Sequence, residues 1–374
     1  MKKLIPVIIS ILLLSSCVKK QSNNLTVQQL NQSTLSYAKG FTINNFSDYK
    51  EITVFSPWKK GEVYAKYYLV HDKKIKTPSD GVKIQIPLKN MASSSVTHLS
   101  FLESLGEIQS LNGFCKPSLA YNSAFQQNVK AGKITDLGEE FTINVEKVLS
   151  LKPELLMISG YNQTDANVQR IQQAGIPVIF NVEWTEISPL GRAEWIKFMA
   201  SFFDKEKQAD SIFNEIELKY NSLKIKASKT KNKPNILVGG NFRGTWYVPS
   251  GRSFMGELFR DAGADYFYSK DTTGGSLPLN FETVLQNFSN ATVWLNCYYN
   301  SMDELMKSDE KNKLFLPVKN GRVYNFNKRM LPNKANDFWE SGVSRPDLLL
   351  SDVIAILHPE ILPNYQLYFS NQLK

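Results

Sequence analysis

One run near the middle of the chain constrains the fold more than any other: Lys205 to Ser228, KEKQADSIFNEIELKYNSLKIKAS. Its apolar residues Ala209, Ile212, Phe213, Ile216, Tyr220, Leu223 and Ala227 recur at spacings of three and four, which predicts a helix with one apolar stripe. At 1.5 Å per residue such a helix is roughly 36 Å long, enough to cross a small domain. Asp204 is the expected N-cap, Glu206 and Asp210 sit near the positive end of the helix dipole, and Pro234 marks the exit. A rod of this length has to be covered by the chain on both of its sides.

Those two sides say similar things. Before the rod, Glu51–Phe55, Glu62–Val70 and Gly81–Leu88 read as strands, and Met91–Ser95 as a small polar turn. One of its serines caps a helix that ends at Gly106. The segment 142–149 (TINVEKVL) then leads to a buried strand, Leu155–Ser159, a helix from Asp165 to Ala174 and a strand from Ile176 to Val182. Pro189–Phe203 is a further amphipathic helix. After the rod come a strand Asn235–Gly240, a helix Ser253–Ala262 stopped by Gly263, the segment 279–285 (LNFETVL), and a strand Ala291–Asn296. A helix Met302–Met306, a strand Arg322–Asn325 and a last helix Pro346–Leu357 follow. Segments 143–149 and 279–285 keep Asn, Glu, Val and Leu in register, and strand and helix alternate in both halves. The expected fold is therefore α/β, with two similar Rossmann-like lobes joined by one long connecting helix and a ligand cleft between them.

The amino terminus is a targeting segment. Lys2 and Lys3 precede the apolar stretch Leu4–Leu14, which is shorter than the roughly 20 residues needed to span a bilayer. It runs into Leu14-Ser15-Ser16-Cys17, which resembles the lipobox of bacterial lipoproteins, although Ser16 stands where Gly or Ala is usual. Residues 1–16 are then a signal peptide, Cys17 the lipidated residue, 17–34 a polar tether, 35–187 the first lobe, 188–233 the connecting helices and 234–374 the second lobe. Without Lys2 and Lys3 the formal charge of +9 becomes +7. Much of that sits in lysines 219–233 at the solvated end of the rod, and an exported protein meets little nucleic acid, so none is expected as a partner. Cys115 and Cys297 fall in different halves and are expected as two separate buried thiols.

The segments 144–158 (NVEKVLSLKPELLMI), Gly263-Ala264, Gly274-Gly275-Ser276, Leu279–Leu285 and Ser344-Arg345-Pro346-Asp347 with the helix after it resemble the helical-spine substrate-binding proteins of ABC importers. The branch is the one that handles iron–siderophores, haem and vitamin B12. In that family each lobe presents a glutamate near a helix start to an arginine pocket on the permease. The matching positions are Glu146 and Glu282, where the alternative role is an acid favoured by the helix dipole. The resemblance implies a monomer held at the membrane in the periplasm by its lipid, with a permease and its ATPase as partners. Its ligand is a bulky chelate, and it has no cofactor of its own.

Ligands of open α/β sheets gather at the carboxyl ends of strands. The loops expected there carry Ser94, Tyr121, Ser159, Tyr161, Arg243, Trp246, Tyr247, Tyr298, Trp339 and Arg345. Aromatic faces pack planar ligands and arginine pairs with carboxylates. Arg243 with Trp246, beside Gly240 and Gly244, is the leading pair. A bare metal ion is not expected, because His71, His98 and His358 are scattered. Residues 251–255 (GRSFM) miss the nucleophile elbow at Met255, and no phosphate loop is present, so the chain is not expected to be an enzyme. The alternatives are a sensing lipoprotein of the same fold without transport, or an envelope hydrolase.

Overall fold

The computed structural model describes residues 28–163 and 165–374. The targeting segment, Cys17 and the first part of the expected tether lie outside the described residues.

The described residues open with a five-stranded sheet. Gln29–Gln32, Phe41–Phe46, Lys50–Phe55 and Val63–Val70 form an antiparallel meander, and Val82–Gln85 adds in parallel at the far edge. Residues 29–32, expected in the tether, are thus a strand paired with the next one. Phe41 and Ile43 alternate inward, and Phe41 packs on Trp195 (4.6 Å between ring centroids) and Phe198 (5.5 Å).

The first lobe is a parallel sheet in the order Val178–Asn181, Leu156–Ser159, Met91–Ser93, Leu111–Phe114, Thr135–Asp136. Met91–Ser93, expected to be part of a turn, is its central strand. Met91 and Ala92 are fully buried, and a three-residue strand covered on both faces shows no alternation that would betray it. The helix Val96–Ser104 follows, capped by Ser95 and ended by Gly106 at φ +72°.

Expected as one helix, Pro189–Phe203 is two, Pro189–Glu194 and Ile196–Ala200, with Trp195 at the joint and almost every side chain buried. The spine helix, Glu206–Ser228, follows. Ala209 and Phe213 enter the core of the first lobe, whereas Ile216, Tyr220 and Ala227 enter that of the second. The helix starts after Lys205, which makes no side-chain cap, and Asp204 is not the expected N-cap. At φ +54° it turns away to pair with Lys50 Nζ (2.8 Å) and His71 Nε2 (3.0 Å).

The second lobe repeats the first in smaller form. Ile236–Val238 pairs in parallel with Val293–Leu295, and single bridges to Asp265 and Val323 widen the sheet. Ser253 caps Phe254–Asp261, and Gly263 ends it at φ +75°, as Ser95 and Gly106 do in the first lobe. An antiparallel trio, Gly240–Phe242, Thr245–Pro249 and Ser276–Leu279, flanks this sheet. The helix Pro346–Leu357 packs along the spine. The architecture is the two-lobed α/β arrangement expected, with a separate sheet added in front of the first lobe.

Candidate functional site

The lobes meet where the helix Val96–Ser104 packs on the short helix Asp337–Glu340, and the hydroxyls of Ser100 and Ser344 hydrogen-bond across the joint. On one flank a cavity of about 660 Å³ opens between the lobes, lined by Tyr121, Asn122 and Glu103 of the first and Arg329, Glu340 and Tyr368 of the second. The Arg329 guanidinium lies 5.0 Å from the Tyr121 ring and 4.4 Å from that of Tyr368, and its Nε pairs with Asp337. Glu340 is buried, and burial, with Asp337 and Glu103 nearby, pushes its carboxyl up to about 8.

At the carboxyl ends of the first lobe's strands a polar group forms around Glu140. Ser94 Oγ donates to Glu140 Oε1 at 2.7 Å, and the Ser159 amide donates to Ser94 Oγ at 3.3 Å. Burial, then Glu140, pushes the Tyr161 phenol up to about 12, so it stays a donor at physiological pH. Ser159, Tyr161, Glu140 and Phe141 line a second cavity of about 470 Å³.

Beside it, Thr97 donates to Glu183 Oε1 at 2.6 Å. Glu183 is buried, its carboxyl is raised by that burial, and Oε2 has no hydrogen-bond partner among the described residues. Arg192 answers this charge. Its side chain donates to the carbonyls of Glu186 (3.0 Å) and Trp184 (2.6 Å) and lies 4.2 Å from the Phe254 ring centroid. Burial lowers the guanidinium to about 10, against the pull of Glu183 and Glu186. Arg192, Phe254 and Trp339 line a third, smaller cavity of about 210 Å³, and Trp339 is 60% exposed.

The expected ligand residues therefore divide. Ser94, Ser159 and Tyr161 come together, Tyr121 lines the cavity of about 660 Å³ and Trp339 that of about 210 Å³. Tyr298 and Tyr247 are partly exposed on the second lobe, and Arg243 sits at a hairpin turn at φ +53° over the Phe242 ring. Trp246 is a correction: it is 1% exposed, packed on Trp294 and Phe315, and donates to the Val238 carbonyl, so it is core and its pairing with Arg243 dissolves. Arg345 is held by Asp347 in a two-point ion pair (2.9 and 2.8 Å) that fastens the start of the last helix. Arg192, Glu183 and Glu140 were not among the expected ligand residues. The carboxylates follow strands, a position that could have flagged them.

Glu146 and Glu282 occupy the same place in their lobes. Each is the second residue of a helix, after an asparagine N-cap: Asn144 accepts from the Lys147 amide and Asn280 from the Thr283 amide. Both are exposed. Cys115 and Cys297 are free, buried thiols, each pushed up to about 12 by that burial.

The sequence profile of the periplasmic binding protein family matches residues 96–330. The chain belongs to that family, and so is a binding protein rather than an enzyme. An uncharacterized lipoprotein of Methanocaldococcus jannaschii, MJ0878, is 29% identical over 76% of this chain and 69% of its own length. Among solved structures, a possible iron-binding, periplasmic solute-binding protein of Staphylococcus epidermidis aligns with a TM-score of 0.57 at 16% identity, covering 73% of this chain and all of its own. The periplasmic haem-binding protein HutB of Vibrio cholerae aligns at 0.55 and 16%, covering 70% and 99%.

Proposed function

We propose that this protein is an envelope lipoprotein, anchored through Cys17, that captures a bulky metal chelate of the iron–siderophore, haem or cobalamin kind. It hands that chelate to an ABC permease powered by its ATPase. The observation that carries the reading is the pair Glu146 and Glu282, two exposed acids at equivalent helix starts on two lobes held by one rigid spine. Two carboxylates at a fixed separation give a two-point electrostatic register on a partner. The molecule also carries cavities with aromatic rings, an arginine and carboxylates, which suit the organic shell of a chelate better than a bare ion. The iron- and haem-binding roles that two structural neighbours carry in their names support the same class.

The test is a calorimetric titration of the purified protein with haemin, cyanocobalamin, a ferric catecholate and a ferric hydroxamate. Micromolar or tighter binding of one of them is expected; no binding to any of the four overturns the reading.

A further inference from the structure

The sheet in front of the first lobe reaches the strand-end cavity through Tyr64, and Trp58 packs against Tyr64 and Trp184 beside it. Trp58 lies in the turn between the strands Lys50–Phe55 and Val63–Val70, and Tyr64 is the second residue of the latter. Both precede the stretch that the family profile matches, which starts at residue 96.

Together with four rings of the first lobe they form an unbroken row. Centroids are 5.0 Å apart from Phe141 to Tyr161, 5.6 Å from Tyr161 to Trp184 and 6.4 Å from Trp184 to Trp58. The row continues at 5.4 Å from Trp58 to Tyr64 and 5.1 Å from Tyr64 to Phe180. Specific polar contacts fix its middle. Tyr64 Oη donates to the Tyr161 carbonyl at 2.8 Å, and Trp184 Nε1 donates to the Gly160 carbonyl at 3.2 Å. Gly160 permits this approach, since a Cβ there would stand 2.6 Å from Val182 Cγ1 and 2.9 Å from the Tyr64 ring.

The row is not sealed into the core. Phe141 is 63% and Trp184 37% exposed, and Tyr64, Phe141, Tyr161 and Phe180 line the cavity of about 470 Å³. A monomer interior would bury such rings; a wall of half-open aromatic faces beside a carboxylate is the surface that a flat π face would cover. Rings have few rotors, so holding them ready costs little conformational entropy.

We propose that the N-terminal sheet is a working part of the ligand site, in which Trp58 and Tyr64 extend the aromatic wall of Phe141, Tyr161 and Trp184 and so select chelates with a planar π face. Trp58 supplies ring surface; Tyr64 is a positioning residue that holds the Tyr161 loop. The inference rests on the reading of the chain as a chelate-binding protein.

The experiment compares haemin, a planar probe, with a ferric trihydroxamate, which has no aromatic face, by calorimetric titration of the full mature chain. Trp58→Ala is expected to weaken haemin about tenfold while shifting the hydroxamate by less than about twofold. Trp58→Phe should keep most of the haemin affinity. Tyr64→Phe, which keeps every ring, should weaken haemin about threefold through loss of one hydrogen bond. Should Trp58→Ala not fold, Trp58→Leu takes its place. Unchanged haemin binding in the Trp58 and Tyr64 variants, or equal weakening of both probes, overturns the inference and leaves the chelate reading standing. A wild-type protein that binds the hydroxamate but not haemin overturns it as well, and one that binds no chelate overturns both.

Discussion

The backbone amide of Tyr121 in the first lobe donates to Glu340 Oε2 in the second, at 2.6 Å and across 219 positions of sequence. Tyr121 also lies against Arg329, so one loop of the first lobe meets both an acid and a base of the second. Because Glu340 is buried at this joint and raised to about 8, closing the joint takes up a proton over the range where an exposed glutamate is ionised.

The sign of the resulting pH dependence follows. A carboxyl raised in the folded state binds more protons folded than unfolded between its ordinary value of 4.5 and about 8. Its contribution is fully present below 4.5 and is lost as pH rises through about 8. Stability is thus expected to fall by more than about 1 kcal/mol between pH 5 and pH 8 on account of this group. Glu340→Gln, which stays neutral, should flatten that part of the profile in thermal unfolding at pH 5, 6, 7 and 8. Parallel profiles for the two proteins would show that Glu340 does not titrate in this window.

Trp246 makes a second prediction, about the core. Its ring is 5.2 Å from Trp294 and 5.6 Å from Phe315, and its Nε1 donates to the Val238 carbonyl at 3.0 Å. Trp246→Ala should cost about 3–5 kcal/mol of stability, measured by denaturant titration. Trp246→Phe should cost less and leave chelate affinity unchanged, and a large affinity loss in that variant would return Trp246 to the ligand site.

Legibility in the sequence followed from how each element is covered. The spine and the last helix carry long apolar stripes, and Pro346–Leu357 has the expected bounds to the residue. The two Asn-capped helix starts were legible because a cap, an acid and an apolar frame recur together. Met91–Ser93 was hidden because a short central strand of small residues has no exposed face to set a period. Trp246 was misplaced by its neighbours in sequence, Arg243 and Gly244. The alternation of buried Trp246, exposed Tyr247 and buried Val248 was present and points the tryptophan inward. Tyr121 was among the expected ligand residues, but its contact with Arg329 was beyond reach, since the two meet only once the lobes are docked.

The paired acids lead to a third prediction. Glu146 and Glu282 are exposed, and neither anchors a core contact. Charge reversal of both to Lys should abolish uptake of the bound chelate by cells and leave its affinity for the purified protein within about twofold, since long-range effects on a distant site are screened. Each single reversal should reduce uptake more than it changes the unfolding temperature. Affinity that falls together with uptake would place these residues in ligand binding instead of docking.

A fourth prediction concerns how the N-terminal sheet is fastened to the lobe. Glu194 is fully buried on the helix Pro189–Glu194, and its carboxylate accepts from the amides of Ser36 (2.9 Å), Tyr37 (2.8 Å) and Ala38 (2.8 Å). Lys197 lies 3.3 Å from the same group and balances its charge. Three donors converging on one acceptor fix the entry of the chain into Phe41–Phe46, whose Phe41 then packs on Trp195. Glu194→Ala leaves those amides buried without a partner and should cost about 3 kcal/mol. Hydrogen exchange by mass spectrometry should locate the loss. Amides of residues 36–46 would exchange faster, whereas the strand Val293–Leu295 in the second core would keep its protection. Uniform loss of protection in both cores would mean that the sheet and the two lobes unfold as one unit, and that Glu194 supports the whole molecule and not the sheet alone.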